Sequence, residues 1–129
     1  MIADDDRCPC GGGAYGTCCG PVHAGAAAPT AEALMRSRYS AFALGLAEHL
    51  RRSWSRTTRP GALELDDGTT WRRLQIVDTA RGGEDDATGV VEFRAAFRSP
   101  EGAGVLRERS RFVREDGRWV YLDGELLDR

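Results

Sequence analysis

Lysine is absent from this chain, so arginine supplies the entire basic set, 18 residues against 20 acidic ones. The resulting net charge of −2 and pI near 5.7 argue against non-specific nucleic-acid binding, which rests on an excess of positive charge. No apolar run approaches the length needed to span a bilayer. The acidic start, Met1-Ile-Ala-Asp-Asp-Asp6, has no apolar core of the kind a secretory signal carries. A cytoplasmic protein with reduced thiols is therefore expected. Internal repeats are missing as well. At 129 residues the chain is long enough for one domain with its own core plus a small appendage.

Cysteine is equally uneven. All four lie in Cys8-Pro-Cys10-Gly-Gly-Gly-Ala-Tyr-Gly-Thr-Cys18-Cys19-Gly20, and none follows. So dense a thiol cluster is either a metal knuckle or a disulfide staple. In a reducing compartment the metal reading comes first.

The remainder divides by hydrophobic period. Residues 1–7 read as a disordered lead-in, and Pro21 to Pro29 as a Gly/Ala/Pro-rich linker. Thr30 is a candidate N-cap for a helix from Ala31 to about Leu44, ended by Gly45. At 100° per residue, Ala31, Leu34, Met35, Ala41 and Phe42 gather around Arg38. Arg38 is thus expected at the centre of the buried face and needs a partner, whereas Arg36, Ser37 and Ser40 should face solvent. Leu46, Leu50 and Trp54 mark a shorter second helix, with His49 a partly exposed flank and no catalytic role.

From Trp71 the period is two. Strands are expected over Trp71–Asp78, Gly89–Ser99, Val105–Glu115 and Arg118–Asp123, the last two joined by an Asp116-Gly117 turn. One face carries Val91, Phe93, Ala95, Leu106, Glu108, Ser110 and Phe112. The other carries Glu92, Arg94, Arg107, Arg109 and Arg111. Helices followed by a meander with one charged face define an α+β domain, helices packed on one side of an antiparallel sheet.

Cys8-Pro-Cys10-Gly with Cys18-Cys19 resembles the SEC-C zinc module best known from the tail of the SecA translocation motor. Together with Leu34-Met-Arg-Ser-Arg-Tyr-Ser-Ala-Phe42, Gly89-Val-Val-Glu-Phe-Arg-Ala95, Glu108-Arg-Ser-Arg-Phe-Val113 and Gly117-Arg-Trp-Val-Tyr-Leu-Asp-Gly124, it resembles the YchJ-like family of bacterial proteins. The resemblance implies a fold similar to nuclear transport factor 2, a strongly curved sheet forming a cone closed by helices over residues 30–129. A knuckle and linker would occupy residues 1–29. It implies metal binding and no particular reaction. Cys10 and Cys18 are separated by seven residues where the motif usually has eight, and no second module follows at the C-terminus.

Four thiolates from two glycine-flanked turns can complete a tetrahedron about Zn²⁺ at roughly 2.3 Å, which makes a structural site with no open position. Cys8, Cys10, Cys18 and Cys19 are the expected ligands. His23 would substitute if the short spacer displaced one. By resemblance to the SecA tail, the knuckle is expected to dock a protein partner.

In the cone, Arg38 and Glu108 are expected to form a buried ion pair near Ser110 and Tyr121. This pair either fixes helix to sheet or lines a small-molecule site. Glu108 and Asp123 are the candidates for an alternative dehydratase, isomerase or hydrolase activity, Glu108 only if Arg38 leaves it unpaired. RNA or ribosome association through the knuckle and the arginine stripe is a weaker alternative, since such stripes are more often solvated faces.

Overall fold

A computed structural model describes residues 2–65 and 67–127. A 3₁₀ turn at Tyr15–Thr17 leads into α1 (Cys19–His23), then α2 (Ala31–Leu44) and α3 (Ala47–Arg52). Four strands follow, β1 (Thr70–Arg81), β2 (Thr88–Ser99), β3 (Gly102–Glu115) and β4 (Arg118–Leu126). They form one open antiparallel sheet in the order β1-β2-β3-β4, the meander the sequence implies. The helices pack on one face of it, giving the expected α+β architecture.

The limits of α2 follow from local chemistry. Thr30 Oγ1 accepts the Ala33 N–H at 3.0 Å, and Gly45 ends the helix at φ 74°, where a side chain would be strained. The start of the helix rests on the β1–β2 hairpin, where the Ala31 N–H donates to the Gly82 carbonyl at 2.9 Å. A Cβ on Gly82 or Gly89 would lie within 2.9 Å of the Ala31 methyl group, so the close approach depends on both glycines. Asp116 and Gly117 turn β3 into β4 with φ of 54° and 79°.

Leu34, Met35 and Tyr39 of α2 meet Val91, Phe93, Ala95, Phe112 and Trp119 of the sheet in one core. Pairing along β1 shifts between Trp71 and Arg73 and again between Ile76 and Asp78, two irregularities that bend the edge strand. A third shift falls between Arg111 and Phe112, where β3 meets β4. Arg111 pairs with Asp123, yet Phe112 pairs with Tyr121, so Leu122 is the additional residue. Strict alternation would send Tyr121 and Asp123 to one face. The bulge sends them to opposite faces.

Three expectations need correction. The second helix stops before Trp54, because Ser53 and Ser55 turn to pair with Tyr121 of β4. Residues 2–7 are not a loose leader: Asp4 and Asp6 carbonyls accept the N–H groups of Gly16 and Tyr15, and Arg7 bridges Ala14. The segment between knuckle and domain is also shorter than a Pro21–Pro29 linker, since Pro21, Val22 and His23 belong to α1, and Val22 and Ala28 are buried.

Candidate metal centre and cavity

The sulfurs of Cys8, Cys10, Cys18 and Cys19 all lie within 4.8 Å of one another. Cys10 stands 3.4 Å from Cys18 and 3.7 Å from Cys19. A tetrahedron of sulfurs about 2.3 Å from a central ion has edges of about 3.8 Å, so the cluster has the dimensions of a four-thiolate site. The four thiols are unlinked by disulfides. A Cβ on Gly12 would stand 2.8 Å from the Cys18 sulfur and 3.3 Å from that of Cys10, so only glycine fits across the cluster. The donor set and its cradle suit a soft divalent ion. The seven-residue spacer brings Cys18 and Cys19 into the cluster together.

The thiols perturb one another strongly. Hydrogen bonding from Cys19, and then from Cys18, holds the Cys10 thiol far below its ordinary value despite burial. The hydrogen bond to Cys10, reinforced by burial, pushes Cys19 up, while burial, followed by the Cys10 contact, pushes Cys18 up. Four contacting sulfurs cannot all carry charge in a buried site unless a cation neutralises them.

The face of α2 expected in solvent forms the floor of this centre. Ser37 and Ser40 are fully buried. The Ser40 hydroxyl donates to Cys19 Sγ at 3.3 Å and lies 3.5 Å from Cys8 Sγ. Arg36 pairs with Glu32 at 3.0 Å and donates from Nη1 to the Cys10 carbonyl at 3.1 Å. Cys8, Cys10 and Cys19 share one core cluster with Leu34, Met35 and Tyr39. The knuckle is therefore welded to α2, and α2 is buried on two faces. A hydrophobic period does not reveal the second face, because small hydroxyl residues form it.

His23 is not a spare ligand. Its Nε2–H donates to the Ser37 carbonyl at 2.8 Å, and Nδ1 accepts the Tyr15 hydroxyl at 2.6 Å. Both nitrogens are committed in the neutral ring, whose proton affinity burial lowers further. His49, expected at the surface, is buried and T-stacked on His23 at 4.8 Å.

A cavity of about 230 Å³ lies between α2 and the inner sheet face. It brings together Arg38, Glu108 and Tyr121. The expected Arg38–Glu108 ion pair does not form. Arg38 Nη1 donates instead to the Leu50 carbonyl at 3.0 Å and to Ser53 Oγ at 2.7 Å. The guanidinium carbon stands 4.8 Å from the Trp54 ring centre and 4.7 Å from that of Tyr121. Burial lowers its pKa to about 10, which leaves it charged at neutral pH. Ser110 Oγ and Tyr121 Oη donate to Glu108 Oε1 at 2.6 and 3.3 Å. Burial, with Glu108 close by, raises the Tyr121 phenol.

Asp123 is not in the cavity. The β3–β4 bulge places it on the outer face, where it accepts two hydrogen bonds from Arg111 at 2.7 and 2.6 Å. The arginine stripe is partly neutralised in the same way: Arg109 contacts Asp78 and Glu92 at 3.1 and 3.0 Å.

The fold and cysteine centre together define a SEC-C motif joined to a nuclear transport factor 2-like sheet. A family described as "YchJ, middle NTF2-like domain" matches residues 30–124. A UPF0225 protein of Streptomyces coelicolor is 57% identical over 123 residues, covering 94% of this chain and 96% of that protein. Another from Corynebacterium efficiens is 51% identical over 126 residues and 96% of each chain. The solution structure of a SEC-C motif protein from Rhodopseudomonas palustris covers 95% of this chain and 100% of its own at 32% identity, with a TM-score of 0.81. A crystal structure of a SEC-C motif protein from Psychrobacter arcticus covers 100% of this chain and 87% of its own at 28% identity, with a TM-score of 0.79. This chain belongs to the YchJ-like UPF0225 family.

Proposed function

We propose that the chain is a zinc-stabilised binding protein. Zn²⁺ held by Cys8, Cys10, Cys18 and Cys19 fastens residues 2–23 onto α2, and the cavity behind α2 takes a small molecule. The observation that carries the reading is the convergence of four sulfurs within 4.8 Å on a buried floor. Zinc is favoured over harder ions because every donor is sulfur. A site filled by four thiolates keeps no position for water, so the metal serves architecture rather than catalysis. The reduced thiols it requires suit a cytoplasmic location, and no helix among the described residues is long and apolar enough to cross a membrane. The exposed turn at residues 11–14 is the part of the knuckle that would meet a protein partner.

Catalysis is the weaker reading, because the second acid it requires, Asp123, lies outside the cavity. Nucleic-acid association is weaker still, given the net charge of −2 and the carboxylates paired to Arg109 and Arg111. Native mass spectrometry of protein expressed with zinc tests the central claim. One Zn²⁺ per chain is expected. A mass equal to the bare chain, with four titratable free thiols, would refute it.

A further inference from the structure

Arg38 and Glu108 face one cavity without forming an ion pair, and each keeps hydrogen-bonding capacity unused. Arg38 is 4% exposed. Only its Nη1 is engaged, on the Leu50 carbonyl and Ser53 Oγ, while Nε and Nη2 meet no acceptor among the described residues. No carboxylate among the described residues forms an ion pair with it. Burying a guanidinium this deeply without a carboxylate in contact is costly, and the Glu108 charge across the cavity with stacking against Trp54 and Tyr121 offsets only part of that cost.

Glu108 is built into place with similar care. Ser110 and Tyr121 both donate to Oε1, while Oε2 receives no donor among the described residues. Diagonally across on β4, opposite Ser110, lies Gly124, where a Cβ would stand 2.5 Å from the Glu108 carboxyl carbon. The strand leaves room for that carboxylate at a position where any side chain would expel it.

The charges decide what fits between them. An anion would gain at Arg38 but would sit beside Glu108. A cation would meet the reverse conflict. A neutral group with an acceptor and a donor side by side satisfies both walls at once. The rest of the lining is apolar and largely aromatic, with Phe42, Trp54, Trp71 and Phe93 prominent, which suits a flat body.

We infer that the cavity binds a small, flat, neutral molecule bearing an amide. Its carbonyl oxygen accepts from Arg38 and its N–H donates to Glu108. The inference rests on the reading of the cavity as a small-molecule site and specifies the chemistry of the occupant.

Three probes of one shape test it on the zinc-loaded full chain: benzamide, benzoate and benzamidinium. Each is titrated to its solubility limit, and the indole N–H signals of Trp54 and Trp71 are followed by ¹H–¹⁵N NMR. Saturable shifts are expected with benzamide, at an affinity about tenfold or more above either charged probe. In Glu108→Gln, which preserves side-chain shape, the order should invert and benzoate should bind best. A charged probe binding the unaltered protein more tightly than benzamide would overturn the amide assignment and leave the cavity reading standing. So would an unchanged order in a folded Glu108→Gln. Absence of saturable shifts with all three would overturn the cavity reading as well.

Discussion

The Ser40 hydroxyl donates to the sulfur of Cys19 at 3.3 Å, and this contact ties the cysteine knuckle to the middle of α2. Ser40 is completely buried, so no water can replace it as a donor to the sulfur. Outer hydrogen bonds of this kind orient metal ligands and stabilise their ionised form. Ser40→Ala should weaken metal binding by about 10- to 100-fold. Competition with a chromogenic zinc chelator reads that directly. Affinity equal to that of the unaltered chain would show that Ser40 only fills space.

Cys8→Ser carries the consequence from the site to the whole fold. Cys8, Cys10 and Cys19 belong to the same core cluster as Leu34, Tyr39 and Phe93, so losing the metal disturbs the domain core. Removing a structural metal ligand belongs among the few substitutions that cost more than about 4 kcal/mol. Chemical unfolding should remain a single transition with a lowered midpoint. Hydrogen exchange should quicken in α2 as well as in the knuckle. Rapid exchange confined to residues 8–20, with α2 protected as before, would mean that the knuckle is a separate unit.

Arg38→Lys separates charge from shape at the cavity. A lysine keeps the charge, and its one nitrogen could still donate to the Leu50 and Ser53 oxygens as Nη1 does, but it loses the flat guanidinium that stacks on Trp54 and Tyr121. A loss of about 2 kcal/mol in unfolding free energy is expected, measured by urea titration followed through tryptophan fluorescence. Unchanged stability would mean that charge alone matters at this position.

Much of this was legible in the sequence, and the failures share one cause. Thr30, Gly45 and the Asp116-Gly117 turn each carry a local conformational signal, so the limits of α2 and the last hairpin could be read directly. The four cysteines declare their chemistry by type and spacing. What escaped depends on contacts between distant segments. Ser37 and Ser40 look like solvent-facing residues until a knuckle from elsewhere in the chain covers them. Asp123 follows the alternation of β4 until a bulge at Leu122 reverses it. His49 sits beside an apolar stripe, and nothing local reveals that α1 closes over it. Burial alone points Arg38 towards Glu108. The structure satisfies Arg38 instead with α3 oxygens and two aromatic rings, which no pattern of hydrophobicity encodes.

His49 makes a prediction about acid. Ser37 Oγ donates to the Leu34 carbonyl at 2.8 Å, so towards His49 Nε2, 3.0 Å away, it must accept. His49 is then a neutral ring with its proton on Nε2, and its buried Nδ1 has no partner among the described residues. A second proton would place a buried charge near His23, Arg52 and Arg38. Burial, followed by those three groups, pushes the pKa from 6.5 down to about 3. The sign follows from linkage. Above about pH 6.5 both folded and unfolded chains hold the ring neutral, and His49 adds no pH dependence. Below it the unfolded chain takes up a proton that the folded chain refuses, so stability falls as pH falls towards 3. By pH 5 this amounts to about 2 kcal/mol. His49→Gln keeps an N–H for Ser37 and removes the titration. Unfolding free energies of both proteins, measured in excess zinc from pH 7.5 to 5, should converge or cross as pH drops. Metal and cysteine effects are common to both and cancel in the difference. A difference that stays constant across this range would show that His49 is protonated in the folded protein as readily as in the unfolded one.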